Sequence, residues 1–546
     1  MWRSIGRRLL ESLAWKNTDD SGLYAGRVRM LRIAIGLSLA VSAGLFVVWT
    51  RHWPLVGDAS TMHYMAWLIE QGKAPYRDFY EMSVPGSFLI ELAAMKVFGM
   101  GAVGWRAFDL SLLAVGGGSF WVMTRRAGWF PAVFAGTLFA LVHGRDGLMQ
   151  GGQRDLTMAV ALVASTALLA VAVRRGSAIA MAGFGLLAGV ALTIKPTALP
   201  LSVAQLGIAV FVLRRRRPQE RAMRLPLLWA GAGMAVAPLI AGIFLVREGA
   251  VGAFWRSLTG LVPYYAGLGH KPLGFLLGHS VSPVLALVLI WFAVVALARP
   301  RLDFERGLLV AGVVFGWVSY VVQARGLPYY RYPLLAFLLP LMALDFSEAS
   351  GRLKDARVRV KAGAWLAVAG LCVGGLFLGP QSAVLVHRYR WWESDYLDSM
   401  QANLERLGGS GLSGQVQCVD SISGCVTVLY RMRLLPASGV LLDFPLFGDA
   451  RKPFVEASRE QFRAQVMERA PRVIVVTSPL YVDGPGDYKK LELWPELETF
   501  LEERYTRETD WRPWRTKRWW SREEYGPSYR IYVRRDAAIA GGRFSP

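Results

Sequence analysis

Apolar runs of about 16 to 24 residues recur from Met30 to roughly Val386, each long enough to cross a ~30 Å hydrocarbon core. In lipid no water is at hand to bond the backbone. A chain can therefore cross only as helices, whose hydrogen bonds are internal, or as a closed barrel. Runs of this length make a polytopic α-helical membrane protein the expected fold. From residue 385 the pattern changes to charged, turn-broken sequence. Two domains follow: residues 1–384 in the membrane, and residues 385–546 soluble.

Sidedness can be read from the cations. The net charge of +22 would fit nucleic acid were it gathered into one patch, but it lies at the ends of apolar runs. Arg125-Arg126, Arg174-Arg175, Arg214 to Arg217 and the stretch from Arg352 to Lys361 form the positive-inside pattern of cytoplasmic loops, and nucleic acid is not an expected partner. Arg3, Arg7, Arg8, Lys16, Arg27 and Arg29 precede the first run, and no good small-residue cleavage site follows it. A retained first helix with a cytoplasmic N-terminus is expected.

Spans are expected at 30–50, 104–124, 129–144, 155–173, 178–194, 197–213, 225–246, 275–298, 307–323, 333–346 and 362–382, about eleven in all. The short piece 86–98 carries Glu91 and Lys96 and reads as an interfacial or re-entrant helix, which keeps Arg125-Arg126 inside. The outer segments are then 51–103, 145–154, the bend at Lys195-Pro196, 247–274, 324–332 and everything after about 383. In that last segment "GQVQCVD", "GVLLDF" and "RVIVVTS" read as short buried strands, with "SREQFRAQVMERA" and "LELWPELETFLEERY" as amphipathic helices. This is an extracytoplasmic α/β domain. Cys418 and Cys425 could be bridged in that compartment or remain buried thiols.

Charged groups gather at the outer ends of the spans: Asp58, Arg77, Asp78, Glu81, Arg106, Asp109, Arg145, Asp146, Arg154, Asp155, Lys195, Arg325 and Arg331. Charges this near lipid are costly and usually face a cavity or a partner, so a site at the outer surface is expected. The sequence shows no midplane charges, broken helices or paired repeats, which are marks of transporters. The segment from Gly57 to Gly86 is the densest, with Asp58, Glu70, Asp78 and Glu81 beside the rings of Tyr64, Trp67, Tyr76, Phe79 and Tyr80. Asp58 precedes an amphipathic helix and is either its N-cap or a base. Arg106 and Asp109, three apart, are placed to pair with each other. Lys195, Tyr330 and Arg331 suit either anchoring at the interface or an anionic head group.

The run from Asp58 through "GKAPYRDFYEMSVPG" to "WRAFD", followed in order by "GGQRD", "GVALTIKPTAL" and "RGLPYYRYPLLAFLLPL", resembles the GT-C glycosyltransferases. More narrowly, it is similar to bacterial members related to the protein O-mannosyltransferases, glycosyltransferase family 39. The resemblance implies a GT-C-like fold and a polyprenyl-phosphate-linked sugar donor. It also implies an acceptor outside the cytoplasm (glycan, lipid or protein) and inversion at the anomeric carbon. Asp58 matches the catalytic aspartate, and Tyr64, Arg77, Asp78, Glu81, Arg106, Arg154, Asp155, Lys195, Tyr330 and Arg331 are the candidate substrate-binding residues. Many relatives carry a second acidic residue beside that aspartate, where this chain has Ala59, so a divalent metal is left open. The rival readings are a glycolipid transporter or flippase and a non-catalytic scaffold. The expected location is the bacterial inner membrane, with the C-terminal domain periplasmic.

Overall fold

The computed structural model describes residues 21–216, 221–351, 394–481, 484, 486–512 and 527–536. The span expected at 362–382, the cluster from Arg352 to Lys361, Arg217 and the first basic residues up to Lys16 lie outside these. Among the described residues, seven helices are long and apolar enough to cross a membrane, or eight if one bent pair is a single span. Every other expected span except 275–298 coincides with a helix. The first is Ser21–Thr50, and Ala102–Thr124, Phe130–Asp146, Arg154–Arg175, Ala178–Ile194, Leu199–Arg216 and Arg221–Arg247 follow it. Phe304–Val322 and Tyr332–Gly351 close the series. Pro85–Phe98 is a helix of 14 residues, about 21 Å long at 1.5 Å per residue, too short to cross unaided. Glu91 on it is buried and pairs with His63, which explains a charge in an apolar piece.

The run at 275–298, expected to be continuous, is broken. Leu273–Ser280 and the helix after it meet at 43°, with Pro283 between them depriving the backbone of a donor. Arg331 closes the break. It donates to His279 O at 3.3 Å and Ser282 Oγ at 2.9 Å, and pairs with Asp146 at 2.8 Å. Arg145 adds a bond to Pro283 O at 2.9 Å. A broken span in lipid stands only where its freed backbone groups are met by such partners.

Packing sorts the helices into two kinds. Arg154–Arg175 and Tyr332–Gly351 are buried at the centre, whereas Arg221–Arg247 turns Leu228, Leu239, Ile243 and Val246 outward. No hydrophobic gain drives helices together in lipid, so close contact depends on small residues. A Cβ on Gly185, Gly189 or Gly233 would run into the backbone of the facing helix. That is how Ala178–Ile194 and Arg221–Arg247 come to lie against each other.

The C-terminal domain is α/β, with a four-stranded sheet in the order β1-β2-β4-β3. Strand β1 (Val416–Val419) runs parallel to β2 (Val473–Thr477), and β4 (Tyr529–Arg534) pairs antiparallel with β2 and with β3 (Tyr505–Trp511). Both β1 and β2 were expected, and both are wholly buried. "GVLLDF" is not a strand. Gly439 O accepts from the backbone of Tyr80 in the membrane domain at 2.9 Å, and Asp443 N donates to Asp420 O at 3.1 Å, so this segment is a seam rather than a sheet member. Strands β3 and β4 were not expected, because "YTRETDW" is mostly exposed and carries no apolar alternation. The expected helices appear at Pro453–Phe462 and Pro495–Arg504, joined by Gly424–Met432. Cys418 and Cys425 are disulfide-bonded.

The two domains join along the helix Gly57–Glu70. Ser60 Oγ meets Thr427 Oγ1 at 2.6 Å, and the Tyr64 hydroxyl donates to Leu434 O at 2.9 Å.

Candidate active site

The chain reverses after the first span at Gly57, whose φ of +57° is a left-handed conformation that favours glycine. Asp58 is therefore the second residue of Gly57–Glu70, not its cap. Val56 holds the cap position with no side-chain hydrogen bond. The Asp58 carboxylate is left half-buried at the start of an otherwise buried helix, where the helix dipole favours its negative charge. Its Oδ2 accepts from Gln153 Nε2 at 3.2 Å, and Gln153 is itself held by a bond to Met149 O at 3.0 Å.

Asp58 opens into a cavity of about 240 Å³ between the two domains. Glu81 and Arg154 also line it. Glu81 accepts from the backbone N–H groups of Met82 and Ser83, both at 2.8 Å, and from Ser83 Oγ at 2.6 Å, so it shapes the turn at the end of the first loop. Arg154 starts the central helix, lies 3.5 Å from Glu81 and is close enough to Asp58 to feel its charge. The remaining membrane-domain lining includes Thr61, Gln150, Tyr265 and Tyr329, and the C-terminal domain contributes Ser421, Ser423, Leu442, Phe444 and Tyr481. Tyr265 stacks on Tyr481 with centroids 6.5 Å apart and packs on Phe444 at 5.5 Å. Burial pushes both tyrosine hydroxyls above their ordinary range, so near neutral pH they are uncharged hydrogen-bonding groups.

Of the expected site residues, the structure brings Asp58, Glu81 and Arg154 together. The others are engaged elsewhere. Lys195 grips the buried Asp155 at 2.6 and 2.8 Å and sits over the Tyr330 ring at 4.5 Å, at the bend that follows Ala178–Ile194. Arg331 braces the broken span. Arg106 pairs with Asp109, which also accepts from Gly152 N at 2.8 Å and lies 3.1 Å from His143 Nε2. This is a closed network at the head of its helix, in line with the i,i+3 pairing the spacing suggested. Tyr64 holds the domain seam. Arg77 and Asp78 pair at 2.9 Å on the surface, where Arg77 also donates to Glu248 O at 2.9 Å.

Sequence reasoning missed the aromatic and hydroxyl side chains of the C-terminal domain, which carry no motif, and took Tyr330 where Tyr329 lines the cavity. Residues Pro328–Arg331 form a 3₁₀ turn, in which neighbouring side chains point about a third of a turn apart. A metal fits poorly: among the described residues no three His, Cys, Asp or Glu side chains converge to hold one. Of the two carboxylates on the cavity, Glu81 has one oxygen, Oε1, taken up by its own turn.

No protein-family model and no curated protein matches the sequence. The structure is similar to crystal structures of ArnT from Cupriavidus metallidurans. The form bound to undecaprenyl phosphate aligns with a TM-score of 0.55 at 14% identity, over 93% of this chain and 99% of that one. The apo form gives the same score and identity over 93% and 98%. At such identity the likeness speaks to fold alone: this chain has the GT-C-like membrane architecture with a C-terminal α/β domain that its sequence resembles.

Proposed function

We propose that the chain is an inverting glycosyltransferase that moves a sugar from a polyprenyl-phosphate donor to a hydroxyl acceptor on the outer side of the cytoplasmic membrane. One observation carries the reading. A carboxylate not engaged in capping its helix faces an interdomain cavity next to an arginine, at one end of a bundle whose lipid-exposed faces are apolar. The ligand named for the ArnT structure, undecaprenyl phosphate, supports a lipid-borne donor in the same fold.

The chemistry follows from the two charges. Asp58 accepts the proton of the acceptor hydroxyl, whose oxygen then bonds to the anomeric carbon as the carbon–phosphate-oxygen bond breaks. The lipid phosphate leaves as an anion and needs no proton, and Arg154 offsets its growing charge. Attack from the face opposite the phosphate inverts the anomeric centre, as it does in single-displacement sugar hydrolysis. Purified protein in lipid nanodiscs, given radiolabelled polyprenyl-phosphate sugars and membrane extract, is expected to yield a new glycosidic product. Movement of labelled lipid between leaflets without product would favour a flippase instead. The broken span points that way, but Arg145 and Arg331, not a ligand, satisfy its backbone.

Arg154→Ala is expected to raise the donor KM by about 10- to 100-fold, the worth of a charge-assisted hydrogen bond of roughly 1.5–3 kcal/mol. The fold should survive, because Glu81 keeps its three other donors. Arg154→Lys should recover part of the loss, as a point charge in place of a fork. An unmoved donor KM in Arg154→Ala would take the phosphate away from this arginine.

Sidedness is proposed from the cation pattern and from the disulfide, which suits an oxidising compartment. Reporter fusions after Arg126 and Arg175 should read cytoplasmic, and one near Met400 periplasmic. A periplasmic reading at Arg126 would mean that Pro85–Phe98 crosses the membrane and would invert the spans after it.

A further inference from the structure

The cavity has two unlike walls. The membrane-domain wall holds all of its charge, Asp58, Glu81 and Arg154, while the wall from the C-terminal domain offers two serine hydroxyls, a tyrosine, a phenylalanine and a leucine. We propose that the C-terminal wall is the acceptor-recognising surface and that it takes an uncharged sugar ring, with buried Lys490 as its positioning residue. This deepens, and rests on, the glycosyltransferase reading above.

A lipid-anchored donor brings its phosphate along the membrane side, where Arg154 stands. The second substrate must then meet the opposite wall. Ser421 and Ser423 each present an oxygen that can accept as well as donate. Ser421 gives its own proton to Asp443, so its lone pairs are left to receive a ligand hydroxyl. Tyr481 and Phe444, with Tyr265 between them, form an aromatic surface that matches the apolar C–H face of a sugar ring. An ionised group pressed against this wall would lose its water and find no counter-ion there, which discriminates against it.

The wall is built from three separate segments, and one side chain ties them together. The Lys490 ammonium, fully buried, donates to Val419 O at 3.0 Å, to the Asp443 carboxylate at 2.5 Å and to Pro479 O at 3.2 Å. Those contacts flank Ser421 and Ser423, Leu442 and Phe444, and Tyr481 respectively. Asp420 stiffens the first segment, accepting from Ile422 N at 2.9 Å, Cys425 N at 2.8 Å and Thr477 Oγ1 at 3.0 Å. The Cys418–Cys425 disulfide closes the same loop. A wall held this firmly is organised before any ligand arrives, which is where binding selectivity is gained.

The test uses the full chain in nanodiscs, with saturation-transfer NMR on methyl glucoside, methyl mannoside and the corresponding sugar phosphates, and tryptophan quenching for undecaprenyl phosphate. With undecaprenyl phosphate saturating, so that Arg154 is occupied, wild type should bind at least one methyl glycoside and prefer it to its phosphate. Ser421→Ala and Ser423→Gly should each weaken that binding about fivefold, and Tyr481→Ala more. Undecaprenyl-phosphate binding should be unchanged in all three. Ser423 has φ +65°, so glycine removes the hydroxyl without straining the backbone. Lys490→Met should lose glycoside binding while keeping undecaprenyl phosphate. Preference for the sugar phosphates, or glycoside binding untouched by the three wall substitutions, would overturn the inference and leave the transferase reading intact. A wild type that binds no undecaprenyl phosphate would instead sink the transferase reading itself.

Discussion

Asp58→Asn is expected to reduce turnover by about 10²- to 10⁴-fold, the usual worth of a positioned general base, with donor and acceptor binding nearly unchanged. The amide keeps the shape of the side chain and can still accept from Gln153 through its oxygen, but it cannot take a proton. Because the Asp58 side chain caps nothing, Asp58→Ala should be as inactive and almost as stable. What it loses is a helix-end charge worth about 0.3–1 kcal/mol and one hydrogen bond. Had Asp58 been an N-cap, alanine would have cost about 1 kcal/mol and asparagine much less, so the two variants would differ in melting temperature. Joint loss of product formation in two variants that both stay folded, with alanine less stable by no more than the lost Gln153 bond, is the signature of a base. An Asp58→Asn protein that turns over normally would move the search to Glu81, the other carboxylate on the cavity.

The membrane domain was legible because its physics is one-dimensional. A span must be apolar for its whole length, so sequence alone located Arg154–Arg175 and its neighbours to within a few residues. The break at Ser282-Pro283 escaped, since its repair by Arg145 and Arg331 comes from elsewhere in the chain. Among the residues lining the cavity, Asp58, Glu81 and Arg154 were legible because a charge at the edge of a span is an anomaly that needs a reason. The same rule also picked out Lys195, Arg106 and Arg331, whose reason is another buried charge. Sequence shows that a charge needs a partner but not which one, so structural ion pairs and site residues look alike until the helices are assembled. The C-terminal wall gave no such anomaly. Ser421, Phe444 and Tyr481 are ordinary residues in a soluble domain, and nothing in the spacing from residue 421 to residue 481 brings them to one cavity.

Lys490 is the least legible residue of all, and its replacement should have the largest effect on stability. It stands beside Lys489 in the sequence, yet it and Asp443 are both fully buried. Lys490→Met leaves the Asp443 carboxylate in the interior with no counter-ion, a loss of about 3–5 kcal/mol when one partner of a buried pair is removed. For a domain of this size that lowers the melting temperature by on the order of 10 °C. Adding Asp443→Leu removes the stranded charge, and replacing a whole buried pair by apolar groups is often neutral or better, so melting should return most of the way. Binding should not return with it. Val419 O and Pro479 O still lack their shared donor, Ser421 has lost its acceptor, and the three wall segments are free to move apart. The double variant thus separates two roles that the single one confounds. Recovered melting with glycoside binding still lost assigns the Lys490–Asp443 pair to holding the shape of the cavity, whereas recovery of both would reduce the pair to a device for stability.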